Sequence, residues 1–188
     1  MKKLNLGCGE FRKEGYVNLD ISAKCNPDIV HNLEKFPYPF DNDDFELIEL
    51  NHLLEHLSEP FKVMSELHRL LKPEGLLVIR VPHFSRAMTH PQHKRGFDVT
   101  FPYYFDKNFQ GGYSGVSFRC EKMKLHWFSQ KYLMKKVLHP LIYYLAAGIG
   151  IIIDFFSNLS PILCSRVWCF WVGGFYEIEY VFRKEINE

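Results

Sequence analysis

The sequence predicts an α/β protein built on a largely parallel β-sheet. Along residues 3–83, short apolar segments that end in glycine, asparagine or aspartate alternate with loops and one amphipathic helix. A glycine turn follows the first segment, and a continuous apolar run, residues 76–81, follows the helix. Strands that alternate with helices through short connections are typical of parallel sheets, whose central strands are rich in apolar residues.

Length and composition predict one domain and exclude several classes of protein. The 188 residues, 47% of them hydrophobic, suffice for one well-filled core. The formal net charge of +1 gives no overall attraction for a polyanion, so no nucleic-acid partner is expected. Five cysteines without a C-x-x-C pair, and an amino terminus without an apolar signal segment, favour the cytoplasm. We therefore expect a single domain over residues 1–188.

The first strand is expected to begin at Leu4 and to lead into the turn Gly7-Cys8-Gly9. Glycine lets the backbone turn sharply and lets a ligand lie against bare amide groups. A second strand, residues 16–19, precedes Asp20, whose carboxylate can accept two hydrogen bonds from a ribose diol. Arg12 stands at the third glycine of G-x-G-x-x-G, and no G-K-[ST] sequence occurs. The pattern therefore favours a nucleoside over a phosphate.

Three further elements complete the parallel part of the sheet. DIVHNL, residues 28–33, predicts a short buried strand with Asn32 at its tip, and residues 45–50 predict a fourth strand followed by Asn51 and His52. A helix is expected from Pro60 to Leu71, ended by residues 72–75. Its predicted core face consists of Phe61, Met64, Leu67, Leu70 and Leu71. The strand at residues 76–81 then leads to His83, so all the polar strand ends should share one rim of the sheet.

Four blocks of sequence resemble one enzyme family. They are LNLGCG, GYVNLD, FPYPFDNDDFELIELNHLLEHL and ELHRLLKPEGLLVIRVPH, in that order over about residues 3–83. Together they resemble the class I S-adenosylmethionine-dependent methyltransferases, among them the small type 11-like methyltransferase-domain proteins. The resemblance implies a Rossmann-like three-layer sandwich with a mostly parallel seven-stranded sheet, an antiparallel last strand and a helical insert before that strand. It also implies S-adenosylmethionine as the cofactor.

The resemblance implies a set of cofactor-binding residues. The methionine and ribose part of the cofactor would be lined by Leu6, Gly7, Cys8 and Gly9. The ribose hydroxyls would bind Asp20, with Ile21 beside it, and the adenine would be bordered by Asn32 and Leu33. The methyl group and the substrate would be flanked by Asn51 and His52, for which capping of the strand end is the alternative.

Three positions depart from the pattern of the family. Asn5 stands where the methyltransferase family usually has an acidic residue in the first strand. Phe11 stands in place of the third glycine of that family, which is a different position from the third glycine of G-x-G-x-x-G. Asn32 replaces a frequent aspartate near the adenine. These departures favour one alternative, a non-catalytic S-adenosylmethionine-binding module of the same fold.

Three histidines follow the fifth strand in the spacing H-x6-H-x2-H. His83, His90 and His93 have no cysteine or carboxylate partner in this pattern, and Pro91 interrupts it, so no metal site is predicted. A histidine titrates near neutral pH and suits the role of general base. His93 is the first candidate and His83 the second, and packing among aromatic residues is the alternative for both.

The last two strands are predicted over residues 116–128 and 175–184, as an antiparallel pair at the edge of the sheet. Between them, residues 130–174 form a hydrophobic insert whose uncharged segment, Leu141 to Ile153, has 13 residues. That is shorter than the roughly 20 apolar residues of a bilayer span. Two interpretations stay open: a helical lid or homodimer surface, and a peripheral membrane contact through residues 137–172. In the second, Lys131, Lys135 and Lys136 would face lipid headgroups.

The expected reaction is methyl transfer to a small molecule, a glycan or a lipid-linked acceptor, at a hydroxyl. No [DNS]-P-P-[YFW] sequence follows the fourth strand, which disfavours methylation of adenine or glutamine amino groups, and no acidic metal triad is visible. An aromatic far side suits a partly hydrophobic acceptor. A nicotinamide-dependent oxidoreductase is disfavoured, because the glycine pattern is incomplete and Asp20 follows Gly9 too closely.

Overall fold

The computed structural model describes residues 2–87 and 90–185, and within them seven strands form one mixed sheet. The strands are β1 (Lys3–Leu6), β2 (Val17–Asp20), β3 (Ile29–Val30), β4 (Phe45–Asn51), β5 (Leu71–Pro82), β6 (Phe118–His126) and β7 (Glu177–Lys184). Their order in the sheet is β3-β2-β1-β4-β5-β7-β6. The predicted Rossmann-like α/β fold is confirmed.

The last strand is the antiparallel one. Strands β1 to β5 pair in parallel, whereas β7 runs antiparallel to both of its neighbours, β5 and β6. The side chains of Ile178, Tyr180 and Phe182 are buried, as the alternation of the sequence predicts. The antiparallel pair β6 and β7 is therefore confirmed, with β6 at the edge of the sheet.

Five helices accompany the sheet in the described residues: α1 (Pro60–Leu70), α2 (Phe84–Ala87), α3 (Lys131–Val137), α4 (Pro140–Ser157) and α5 (Pro161–Arg166). Helix α1 agrees with its prediction and begins with a proline in its first turn, where no amide donor is needed. Its core face differs at one position. Phe61 is 42% exposed and Val63 is buried instead, because the residues that face the sheet follow the spacing 60, 63, 64, 67 and 70.

Two strands differ from their predictions. Strand β3 has only two residues, and Val30 is exposed because β3 is the edge of the sheet rather than a buried strand. Strand β5 begins at Leu71 instead of residue 76, immediately after α1. The expected loop at residues 72–75 is an irregularity within the strand, where Glu74 has a φ of +61° and the register with β4 shifts.

Helices α3, α4 and α5 all lie in the predicted insert. Helix α4 contains the uncharged segment and continues through Asp154 to Ser157. The carboxylate of Asp154 accepts a hydrogen bond of 2.7 Å from the amide of Trp127, so its charge has a partner within the fold. Among residues 2–87 and 90–185, α4 is the one helix that is long and apolar enough to cross a membrane, by length and composition. Its 18 residues include only two buried ones, Gly150 and Ser157.

Candidate active site

The glycine turn after β1 is held against the end of β2. The amides of Gly7 and Cys8 both donate to the carbonyl oxygen of Leu19, at 2.8 and 3.1 Å. Gly7 has a φ of +64°, and a Cβ atom added to it would lie 2.8 Å from the side chain of Leu53. Glycine is therefore needed here both for the left-handed backbone and for the close approach of Leu53. The side chains of Leu6 and Cys8 are buried, so these residues present their backbone to a ligand.

The structure brings Asp20 and the glycine turn together, as predicted. One carboxylate oxygen of Asp20 accepts the amide of Gly9 and the other accepts the amide of Ser22, each at 2.8 Å. These bonds fix the direction of the carboxylate, and each oxygen keeps a second lone pair for a ligand hydroxyl. Ile21 follows with 64% of its side chain exposed. The arrangement fits a ribose and an adjoining flat apolar group.

The end of β3 leads to the residues predicted to border an adenine. The Asn32 side chain accepts the amide of Glu34 at 3.0 Å, which forms a local turn. Leu33 is buried, and its carbonyl oxygen accepts the hydroxyl of Tyr38 at 3.0 Å. The side chain of Leu33 therefore belongs to the core, and the contact of both residues with an adenine stays a prediction.

Two departures from the family pattern have structural roles. The Asn5 amide donates to the carbonyl oxygen of Phe11 at 3.1 Å and to the side-chain oxygen of Asn18 at 3.0 Å. A carboxylate at position 5 would face these two acceptors, so an amide fits this neighbourhood better. Phe11 is exposed and contacts the ring of Tyr132 on α3 edge-on, with 6.0 Å between the ring centres. Phe11 thus joins the glycine turn to the insert.

Asn51 and His52 end β4 in a network of charges. Asn51 accepts a hydrogen bond of 2.8 Å from Arg80, which is itself paired with Glu179. The ring of His52 lies 2.7 Å from Glu177 and 3.5 Å from Glu55. Burial disfavours the charged ring, but these two carboxylates outweigh it and raise the pKa of His52 to about 9. His52 is therefore a cation at neutral pH.

Glu55 is the polar residue that the sequence-based reasoning missed. Its side chain is fully buried, and neither carboxylate oxygen has a hydrogen-bond partner within residues 2–87 and 90–185. The carboxylate lies 3.9 Å from the ring nitrogen Nε2 of His93. The signal was present in the spacing of HLLEH, because residues 52, 55 and 56 would share one side if the segment were helical; in the structure the helical turn covers Leu54–His56.

Glu55 also changes the reasoning about metals. Glu55, His56 and His93 each offer one ligand atom, and these atoms lie within 4.8 Å of one another. The ring nitrogen Nδ1 of His56 lies 3.2 Å from the carbonyl oxygen of Gln92, a common arrangement behind a metal-binding histidine. The sequence-based argument considered the spacing of His83, His90 and His93 and did not include Glu55 or His56. The three residues Glu55, His56 and His93 could hold a metal ion, and the absence of a metal site stays a prediction.

A pocket of about 210 Å³ opens beside this network, between the ends of β4 and β5 and helix α3. It is lined by His52, Pro82, Arg86, His90, His93, Gln130, Leu133 and Tyr176. The hydroxyl of Tyr176 donates to the side chain of Gln130 at 3.1 Å, which joins β7 to α3 at the wall of the pocket. A larger cavity of about 570 Å³ lies along β6 and contains none of the predicted site residues.

His83 lies outside this pocket. It is fully buried, and its two ring nitrogens lie 2.7 Å from the hydroxyl of Ser85 and 2.9 Å from that of Ser165. Burial lowers the pKa of His83 to about 4 and outweighs the opposite effect of the Asp98 carboxylate, and Arg166 lowers it a little further. The geometry favours the packing alternative, in which His83 joins β5 to α5.

Comparisons with known proteins identify the family and the fold. A family model described as a methyltransferase domain matches residues 6–132. No curated protein sequence matches the chain significantly. Among solved structures, a proposed sarcosine dimethylglycine methyltransferase from Galdieria sulphuraria is 18% identical, with a TM-score of 0.60 over 100% of this chain and 78% of that one.

Two further solved structures share the fold. A SAM-dependent methyltransferase from Archaeoglobus fulgidus is 15% identical, with a TM-score of 0.58 over 97% of this chain and 86% of that one. Phosphoethanolamine N-methyltransferase 2 from Haemonchus contortus, in complex with S-adenosyl-L-methionine, is 12% identical, with a TM-score of 0.59. That alignment covers 99% of this chain and 49% of the nematode protein.

Proposed function

The chain belongs to the methyltransferase-domain family and is an S-adenosylmethionine-dependent methyltransferase; from this premise we propose that it methylates a hydroxyl of a small-molecule, glycan or lipid-linked acceptor. The observation that carries the proposal is the pocket at the ends of β4 and β5, which has His93 in its wall. When bound, S-adenosylmethionine supplies an electrophilic methyl group on a positively charged sulfur. The protein must then orient the acceptor and exclude water.

The cofactor is proposed to lie along the carboxyl ends of β1, β2 and β4. The backbone of residues 6–9 would face its methionine and ribose part, and Asp20 would accept the ribose hydroxyls. Ile21, Asn32 and the backbone of Leu33 would border the adenine. Leu53 supports this placement, because its side chain lies against Gly7 and the residue before it, His52, lines the pocket. The glycine turn and the pocket are therefore close to each other. Asn51 and His52 would therefore stand between cofactor and acceptor.

His93 is the proposed general base. A hydroxyl is a weak nucleophile, and its proton must leave as the bond from oxygen to carbon forms. His93 lines the pocket, and the buried Glu55 carboxylate lies 3.9 Å from its ring, where it can stabilise the imidazolium that results. His83 is the weaker candidate, because both of its ring nitrogens lie against serine hydroxyls in the core.

A cytoplasmic location is part of the proposal. All five cysteines are free, and three of them, Cys8, Cys164 and Cys169, are buried. Free thiols suit a reducing compartment. Whether the protein also contacts a membrane is a separate question, which depends on the insert at residues 130–174.

Calorimetric titration with S-adenosylmethionine and S-adenosylhomocysteine tests the cofactor site, and transfer of a labelled methyl group to hydroxyl acceptors tests the reaction. We expect both ligands to bind and His93→Gln to lower the transfer rate about 10²-fold or more with nearly unchanged cofactor affinity. His139→Asn is the matched control, because His139 is exposed at the start of α4 and caps that helix.

Three results would change the proposal. Cofactor binding without transfer to any acceptor would favour the non-catalytic binding module. Transfer that His93→Gln leaves intact would remove His93 as the base. Failure to bind either ligand would overturn the placement of the cofactor.

A further inference from the structure

The insert carries an unusually apolar surface. Of the 25 large apolar side chains that are exposed in the described residues, 19 lie between residues 132 and 171, on α3, α4 and α5 and in the short segments that follow α4 and α5. We call these side chains the apolar face. Among the most exposed are Trp171 at 80%, Val137 at 71% and Ile151 at 67%. So many exposed apolar side chains in one 40-residue segment mark a surface that contacts another molecule or a membrane.

Helix α4 is held to the domain at the end of β6. Near its end, the Asn158 side chain bonds both the amide and the carbonyl of Leu125 in β6, at 2.8 and 2.9 Å. Near its start, the ring of Tyr143 packs against Phe128 with 5.7 Å between the ring centres. Phe128 also lies against Gly150, where an added Cβ atom would come within 2.9 Å of its side chain. The helix, about 27 Å long, is therefore held to the end of β6 mainly through its second half. This geometry suits a helix that lies in the plane of a membrane surface better than one that crosses it.

The charge of the insert favours an anionic bilayer over a second copy of the chain as the partner of the apolar face. Residues 130–174 contain four basic side chains, Lys131, Lys135, Lys136 and Arg166, and one acidic side chain, Asp154. Their formal charge is +3, whereas the whole chain carries +1. Arg166 is paired with Asp98 at 3.0 Å, so the charge available to a partner comes from the three exposed lysines of α3. Two such surfaces facing each other would repel, while an anionic lipid surface would attract either one. Tryptophans at positions 168 and 171 add the residue type that favours the membrane–water boundary.

The apolar face also adjoins the pocket. Leu133 on α3 lines the pocket and is 47% exposed, so it belongs to both surfaces. Gln130, which precedes α3, lines the pocket as well and is bonded to Tyr176. A surface that binds lipid through α3 and α4 would therefore bring the pocket close to the headgroups.

We propose that the apolar face docks into the interfacial region of an anionic phospholipid bilayer, with α4 in the plane of the membrane. Resting on the proposed function, this docking selects the lipid-linked class of acceptor, whose hydroxyl lies near the bilayer surface and reaches the pocket beside α3. The apolar side chains bury in the acyl boundary, and the lysines of α3 bind the headgroups.

Flotation of the full chain with vesicles tests the docking, using phosphatidylcholine alone and phosphatidylcholine with one quarter phosphatidylglycerol. We expect flotation with the anionic vesicles, weakened by salt, together with a blue shift of tryptophan emission. Ile151→Ser with Trp171→Ser should weaken vesicle binding about tenfold or more, and Lys135→Gln about fivefold. Val30→Ser is the matched control, because Val30 is an equally apolar exposed side chain at the far edge of the sheet.

Two further experiments test other partners of the apolar face. Sedimentation without lipid tests for a second copy of the chain, and extraction of the vesicles at high pH tests whether α4 crosses the bilayer. A protein that stays unbound with both vesicles overturns the proposal. So does a stable dimer in solution that Ile151→Ser with Trp171→Ser dissociates, because the face would then bind a second copy. Resistance to alkaline extraction would mean that α4 crosses the bilayer. Vesicle binding needs no cofactor, so its failure is distinguishable from failure of the proposed methyl transfer.

Discussion

Helices α1 and α4 are both apolar, but their surroundings are opposite. In α1, Val63, Met64, Leu67 and Leu70 are fully or almost fully buried against the sheet, and the polar residues face outward. Helix α4 is longer and more apolar, yet only Gly150 and Ser157 are buried. Its larger apolar side chains, such as Ile151 and Phe155, remain exposed.

The difference teaches that hydrophobicity alone does not place a helix in a core. Helix α1 has a narrow apolar stripe that matches one neighbour, the parallel sheet. Helix α4 is apolar on nearly all sides, and the described part of the chain covers it mainly where it faces β6 and α3. An apolar surface that the fold leaves uncovered indicates a partner that the chain itself does not provide.

The largest expected effect is on stability, and it tests this contrast directly. Leu67→Ala removes a fully buried side chain and should lower the free energy of unfolding by about 2–5 kcal/mol. Ile151→Ala should change it by less than about 0.5 kcal/mol, because 67% of the Ile151 side chain is exposed. Urea unfolding without lipid measures both. An equal loss in the two variants would mean that α4 is covered in solution.

The second prediction concerns His83, which joins strand β5 to helix α5 of the insert. The pKa of His83 is about 4 in the folded protein and 6.5 in the unfolded chain, so the unfolded chain binds one more proton between these values. Stability should be full above pH 6.5 and fall by about 3 kcal/mol as the pH drops through 4.

Chemical unfolding from pH 7 to pH 4 measures this dependence. His83→Gln keeps a polar side chain beside Ser85 and Ser165 but cannot take up the proton. The variant should therefore lose much of the dependence on pH below 6.5. The same slope in the variant and the parent would show that other groups cause it.

The third prediction separates the cofactor site from the insert. Asp20→Ala removes the acceptor of the ribose hydroxyls and should weaken S-adenosylmethionine binding by about 1.5–3 kcal/mol, roughly tenfold to a hundredfold. Calorimetry measures this loss, and flotation with anionic vesicles should stay unchanged. Binding equal to that of the parent protein would contradict the role of Asp20.

The smallest expected effect is on metal dependence. If His93 is the base, a chelator should leave methyl transfer unchanged, and added Zn²⁺ should inhibit by occupying Glu55, His56 and His93. Transfer rates with EDTA and after metal repletion check this. Loss of activity with EDTA that a divalent ion restores would give these three residues a metal-binding role instead.

The sequence predicted the order of the parallel strands, because most of them are followed by a glycine or a polar residue, although β3 is shorter and β5 begins earlier than predicted. Asp20 and Gly9 were predicted to lie together and do so. Glu55 was missed, since its importance depends on His93, 38 positions along the chain, and on burial that no local pattern reveals. His83 illustrates the same limit, because its partner Ser165 comes from the insert.

The place of β7 in the sheet has a consequence for biosynthesis. It lies between β5 and β6, although it follows the whole insert in sequence. A ribosome therefore releases the apolar face before the strand that completes the sheet, and roughly ninety residues separate β5 from the partner it awaits. The apolar face of the nascent chain is therefore complete while the edge of β5 is still unpaired. Recruitment to a bilayer during translation would shield that surface from aggregation until β7 arrives.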